Sequence, residues 1–281
     1  MATLHGVTEL GFDRYYAELD AETAKLADAV LAADPTHPVP TCPEWTIADL
    51  VAHVGRGIAW AATIIEQRAL HWIPIEQVID SPIPGASGGS GAAGASGRPG
   101  TREERAAWLR AGASRLADAV RDAGPDTHVW TWSDDRTAGF WLARLTHETV
   151  IHRVDAELAI GRQVSLAADL AADGVRDLLS SISVLSADGP DPMFAGLRGD
   201  GETLHFHATD DGLGAAGEWF VTRPPARVTW EHGHRKADVA VRGPALQLLL
   251  VLTRRASLDG SDLAVHGDER LFAHWLEHSA F

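Results

Sequence analysis

From Gly11 onward, apolar residues recur at helical spacing. Phe12, Tyr15, Leu19, Leu26 and Val30 form one stripe that ends near Asp34-Pro35, which predicts a first helix. A proline-rich connection, Pro35 to Pro43, follows. Thr46 then stands as a helix N-cap, with Asp49 in the first turn favouring the dipole. Leu50, His53, Val54, Gly57 and Ile64 lie along this second helix. Thr101-Arg102-Glu103-Glu104 is a capping box that opens a third helix striped by Trp108, Ala113, Leu116 and Val120 and stopped by Gly124-Pro125. After a turn carrying Trp130 and Trp132, a fourth helix is predicted from about Gly139 to Ile160, ended by Gly161. Four amphipathic helices with one long connection describe a bundle.

That connection, Ser81 to Gly100, is rich in Gly, Ala, Ser and Pro and has no periodicity. It holds no lysine, so it is not a phosphate-binding P-loop. It reads as a flexible crossover, with a lid over a site as the alternative. Beyond Gly161 the period changes. A helix over Ala167 to Leu185 precedes strand-like runs at Thr203–Thr209, Glu218–Thr222, Arg227–Glu231 and Asp238–Val241. Pro244 opens an apolar helix, Ala245 to Thr253, and a last helix covers Glu269 to His278. The fold class is therefore α+β. Residues 1–162 form a helix bundle with a flexible insert at 81–100, and residues 163–281 form a smaller mixed α+β domain.

Composition narrows the function classes. The 281 residues carry 24 Lys+Arg against 39 Asp+Glu, a net charge of −15. So acidic a chain has no electrostatic reason to bind nucleic acid or an anionic membrane surface. The single cysteine, Cys42, excludes a disulfide framework and fits a reducing cytoplasm. Met1 to Tyr16 lacks the apolar core of a signal peptide, and no apolar run approaches the roughly 20 residues of a membrane span.

The fourth helix carries the chemistry. Glu148 and His152 are four apart and share a face with Trp141 and Leu145, which directs them inward. A buried carboxylate and imidazole need each other or a metal. His147 lies on a different face, so this is not the His-Glu-x-x-His zinc motif. On the second helix His53 lies on or near the inward stripe of Leu50, Val54 and Gly57. Two histidines and a carboxylate from two helices are a candidate facial set for zinc, with a fourth position open. The bland alternative is a hydrogen-bonded core His53 and a local Glu148–His152 pair. Cys42 has no readable base beside it. His205 and His207 share one strand face, read as the solvated one, and His232 and His234 read as surface turn residues. The tryptophans Trp60, Trp72, Trp130, Trp132 and Trp141 are expected to be mostly core, with one or two walling a pocket. Asp134-Asp135-Arg136 reads as a solvated turn.

Two segments, Val39-Pro40-Thr41-Cys42-Pro43-Glu44-Trp45-Thr46-Ile47-Ala48-Asp49-Leu50-Val51-Ala52-His53 and Arg144 through Glu157 (RLTHETVIHRVDAE), resemble the mycothiol-dependent maleylpyruvate isomerase family. Ala237 to Pro244 and Arg254-Arg255 extend the resemblance more loosely. It implies a DinB-like, metal-binding four-helix bundle followed by a small α+β domain. The family's metal triad, a histidine on the second helix and Glu-x-x-x-His on the fourth, falls on His53, Glu148 and His152. Glu44 stands where the family more often has glycine, and the 81–100 insert is long.

Together these readings predict a cytoplasmic enzyme. It would hold a divalent metal, zinc first, and use mycothiol as a thiol cosubstrate on a small electrophile, by isomerisation or S-transfer. Arg254 is the candidate for holding a substrate carboxylate. No nucleic acid or membrane partner is expected. The rival readings are a non-catalytic ligand- or partner-binding bundle and a thiol-independent metal hydrolase.

Overall fold

The periodic runs of the first half become four helices in the computed structural model, which describes residues 10–78, 100–187 and 193–279. The expected insert lies outside the described residues except for Gly100. Two compact units divide between Val164 and Ser165.

The first unit contains α1 (Phe12–Ala32), α2 (Ile47–Glu66), α3 (Arg102–Ala123) and α4 (Ala138–Ala159). Both expected starts are full capping boxes. Thr46 receives Asp49 N–H while Asp49 accepts from Thr46 N–H, and Thr101 and Glu104 do the same. At Gly124 (φ +88°) and Gly161 (φ +70°) the chain leaves α3 and α4 through left-handed backbone that glycine adopts without a Cβ clash. Helix α1 packs on α3 and α4, and α2 packs on the same two. Tyr15, Leu19, Leu50, Val54, Leu109, Leu116 and Leu142 are among the residues that fill the centre. Helices α2 and α3 meet where Gly55 faces the Trp108 ring, and a Cβ at Gly55 would stand 1.9 Å from it.

Within and just beyond the proline-rich connection lies a small hairpin, β1 (Pro38–Val39) against β2 (Cys42–Thr46). A two-residue first strand and a proline in each strand leave no alternation for the sequence to display. Charge is also buried between α1 and α4. Arg153, 1% exposed, donates to Glu22 at 2.7 Å and to Glu157 at 2.6 Å.

The second unit holds α5 (Ala168–Leu185), β3 (Glu202–Ala208), β4 (Glu218–Arg223), β5 (Thr229–His232), β6 (Val239–Gly243), α6 (Ala245–Leu252), β7 (Ala264–Gly267) and α7 (Glu269–His278). Its sheet runs β5-β4-β3-β6-β7, with β3 and β6 parallel and the other neighbours antiparallel. Leu204 and Phe206 pair with Val221 and Trp219 on one side and Val239 and Val241 on the other, forming the apolar face. Phe272 and Trp275 of α7 approach Phe206. Strand β7 was not anticipated because its residues are half-buried at most. On the other face the expectation of solvated histidines fails for His205, which is 5% exposed. A central strand buries both of its faces when side chains from its neighbours lean across it.

Candidate metal centre

Helices α2 and α4 each contribute to one polar cluster. His53 Nε2 and His152 Nε2 both lie 3.2 Å from the same oxygen, Oε1 of Glu148. The ligand atoms of the three residues all fall within 4.8 Å of one another. Donors held at 2.0–2.1 Å around tetrahedral zinc stand about 3.3 Å apart. The donor set and its spacing therefore fit a divalent ion.

The three residues are not equally inward. His152 is buried and Glu148 partly so, but the His53 side chain is 45% exposed. Leu50 and Val54 carry the buried stripe of α2, and position 53 lies about 100° round from 54, on the helix flank. His53 therefore stands at the rim of the cluster, on its solvent side. His147 faces away from the cluster, edge-on to Tyr15 at 6.0 Å.

A second layer holds these side chains. His152 Nδ1 lies 2.9 Å from Asp155, a fully buried carboxylate that also accepts from Thr41 Oγ1 at 2.5 Å. The carboxylate takes the Nδ1–H and leaves Nε2 facing Glu148, the arrangement that fixes a metal-ligating imidazole. The Arg144 guanidinium pairs with Oε2 of Glu148, leaving Oε1 for the histidines. The Trp45 ring, from β2, stands 4.8 Å from His53 and 5.7 Å from His152. The hairpin thus supplies both Thr41 and Trp45. Asp155 lies three residues after His152, one turn along the same helix, and that spacing was the signal that could have found it.

Burial works against the charge on Glu148. The Arg144 guanidinium and the hydrogen bonds of His152 and His53 outweigh it, so the carboxyl lies well below its usual range. Burial likewise works against a charged His152, but its bonds to Asp155 and Glu148 prevail and raise its pKa. Without an ion, an imidazolium donating from both nitrogens suits these two carboxylates. With an ion, Nε2 would offer its lone pair while Nδ1 keeps its proton and donates a hydrogen bond to Asp155.

The cluster borders a cavity of about 510 Å³, walled by Trp45, Trp60, Trp132 and Trp141 and carrying Arg56 and Arg144. Tryptophans therefore line a pocket as well as the core, and Trp72 is exposed. Cys42 Sγ lies 4.0 Å from Asp155 Oδ2, and a carboxylate there repels a thiolate. Arg254 belongs to the second unit. Its backbone is left-handed (φ +62°) and its Nε donates to the Leu276 carbonyl at 2.7 Å.

Comparison with protein families matches residues 16–157 to the mycothiol maleylpyruvate isomerase N-terminal domain and residues 169–274 to the corresponding C-terminal domain. Two solved structures are similar along the chain, a crystal structure of mycothiol-dependent maleylpyruvate isomerase and one of its histidine-to-alanine mutant. Each is 18% identical and is matched over 94% of this chain and 96% of its own, with TM-scores of 0.52 and 0.56. At that identity the likeness shows the fold. No curated protein matches the sequence significantly.

Proposed function

This chain belongs to the mycothiol-dependent maleylpyruvate isomerase family, and from that premise we propose that it is a metal-dependent enzyme using mycothiol to isomerise a small electrophile with a conjugated cis double bond. One observation carries the reading. The family-matched residues enclose a His–Glu–His set whose donors converge on one oxygen at the edge of an aromatic-walled cavity.

His53, Glu148 and His152 would hold the ion. A divalent ion bound there supplies Lewis-acid chemistry, lowering the pKa of a thiol so that thiolate exists at neutral pH. Asp155 and Thr41 keep His152 in one tautomer and orientation. Arg144 keeps the second oxygen of Glu148 occupied. Arg56 faces the cavity and offers a guanidinium to a substrate carboxylate. The tryptophan walls offer flat apolar surface against which the substrate can pack.

In the reaction proper, the thiolate sulfur bonds to one alkene carbon and the π electrons move onto the conjugated carbonyl oxygen. The former double bond rotates as a single bond. Expulsion of the thiolate re-forms the alkene in the trans geometry, and the thiol is regenerated. If the carbanion is instead protonated, sulfur stays on the product and the outcome is S-transfer. A single cysteine and the use of a reduced thiol support a cytoplasmic location.

The test is an NMR time course with metal-loaded protein, mycothiol and maleylpyruvate. The expected result is accumulation of the trans isomer with the thiol undiminished. A stable thioether would move the assignment to S-transfer. Turnover without thiol would move it to a hydrolase, and no turnover of either kind would leave a binding module. His152→Ala should abolish thiol-dependent turnover, whereas Cys42→Ser should leave it largely intact. Activity lost with Cys42→Ser but kept with His152→Ala would put the nucleophile on the protein and sink the mechanism.

A further inference from the structure

The second unit gathers histidines around a carboxylate on the sheet face opposite its apolar core. Register brings them together. His207 of β3 lies directly across from Glu218 of β4, and His205 lies across from Phe220, so all four side chains share one face. At the end of β5 the chain turns back over this face. Gly233 N–H bonds the Glu218 carbonyl, and His232 donates to the same oxygen from Nδ1 at 2.9 Å. That turn delivers His234, whose Nδ1 lies 3.0 and 3.1 Å from the two oxygens of Glu218. His205 Nε2 lies 2.6 Å from Oε2, and His207 Nδ1 3.6 Å from Oε1.

We propose that His205, Glu218 and His234 form a second divalent-cation site, confined to the C-terminal unit, with His207 at its edge. The ligand atoms of the three lie within 4.8 Å of one another. Two imidazoles and one carboxylate are a zinc donor set that leaves a position open, and imidazole ligands favour zinc and its first-row neighbours over calcium or magnesium.

A purely structural role accounts for less of the arrangement. Two hydrogen bonds to Glu218 would occupy His205 and His234, but His207 stands beyond hydrogen-bond range of the same carboxylate. Three imidazole rings, with centroids 5.1 to 6.0 Å apart, would repel one another if charged. The nearest cation in sequence, Arg235, is directed elsewhere, over the Phe220 ring and onto Glu231. His234, with its side chain 72% exposed, forms the outer side of the site, so ions can enter from solvent. An ion there would tie β3, β4 and the β5–β6 turn together.

The test uses full-length, untagged protein carrying His53→Ala and His152→Ala, which removes the bundle triad whatever its role. After stripping with chelator and equilibration with zinc, this variant should keep about one tightly bound zinc per chain. Adding Glu218→Gln, or separately His234→Ala on the exposed side, should each abolish that binding. Cobalt(II) loading of the same parent variant should give the visible absorption of a low-coordinate His/carboxylate site, lost in both daughters. His234 is exposed, so its replacement leaves folding intact, and circular dichroism of each variant verifies this. No zinc in the parent, or zinc that survives both added substitutions, would overturn the site.

Discussion

Asp155 shows how much one side chain decides. It touches neither cavity nor expected ligand atom, yet it accepts hydrogen bonds from His152 Nδ1 and from the Thr41 hydroxyl. Asp155→Asn keeps the size but alters the hydrogen-bond pattern, and should weaken zinc binding about 10- to 100-fold with little change in secondary structure. Competition with a chelating dye measures this, and an unchanged affinity would reduce Asp155 to a packing role. Arg153 makes the same point for stability. It is buried with Glu22 and Glu157 between two helices, and removing Glu22 leaves the guanidinium with one fewer charged partner. Glu22→Ala should therefore cost about 1–3 kcal/mol in urea unfolding. The helix assigned to Glu22 was legible from its neighbours Leu19 and Leu26, but its buried partner lies 131 positions away, beyond any local pattern.

Helices were the most readable elements because their signals are local. The capping boxes at Thr46 and Thr101 and the glycines after α3 and α4 satisfy end groups within a few residues of themselves. Thr101→Ala should accordingly cost about 1 kcal/mol. Contacts between elements were not readable in that way. Glycine at 55 has no helical purpose of its own, and its need arises from the Trp108 ring lying across it. Gly55→Ala should raise helix propensity yet lower stability by about 1–3 kcal/mol through overpacking, seen as a lower urea midpoint. A midpoint that rises would mean the ring moves aside freely. The hairpin between α1 and α2 illustrates the same limit. Its strands are too short to show alternation, yet they bring Thr41 and Trp45 to the histidines.

On the scale of the whole molecule, the apolar stripes supply most of the burial and an ion would add to it by mass action. Chelation should therefore lower Tm while leaving helical ellipticity at room temperature nearly unchanged. Loss of ellipticity on chelation would show that the ion, and not the bundle core, holds the fold. Among the described residues no helix is long and apolar enough to cross a membrane, and the net charge of −15 spreads over both units. The sequence by itself determined the helix stripes, their caps, the change of period after Gly161 and the common helical face of Glu148 and His152. All of these depend on residues a few positions apart and on the fixed repeat of helix or strand. Only the tertiary structure decided that His53 sits at a rim, that Asp155 and Thr41 buttress His152, and that His205 is buried beside Glu218 and His234. Those relations join residues from separate elements, and burial, tautomer and charge state follow from which elements pack together. No periodicity along the chain encodes that choice.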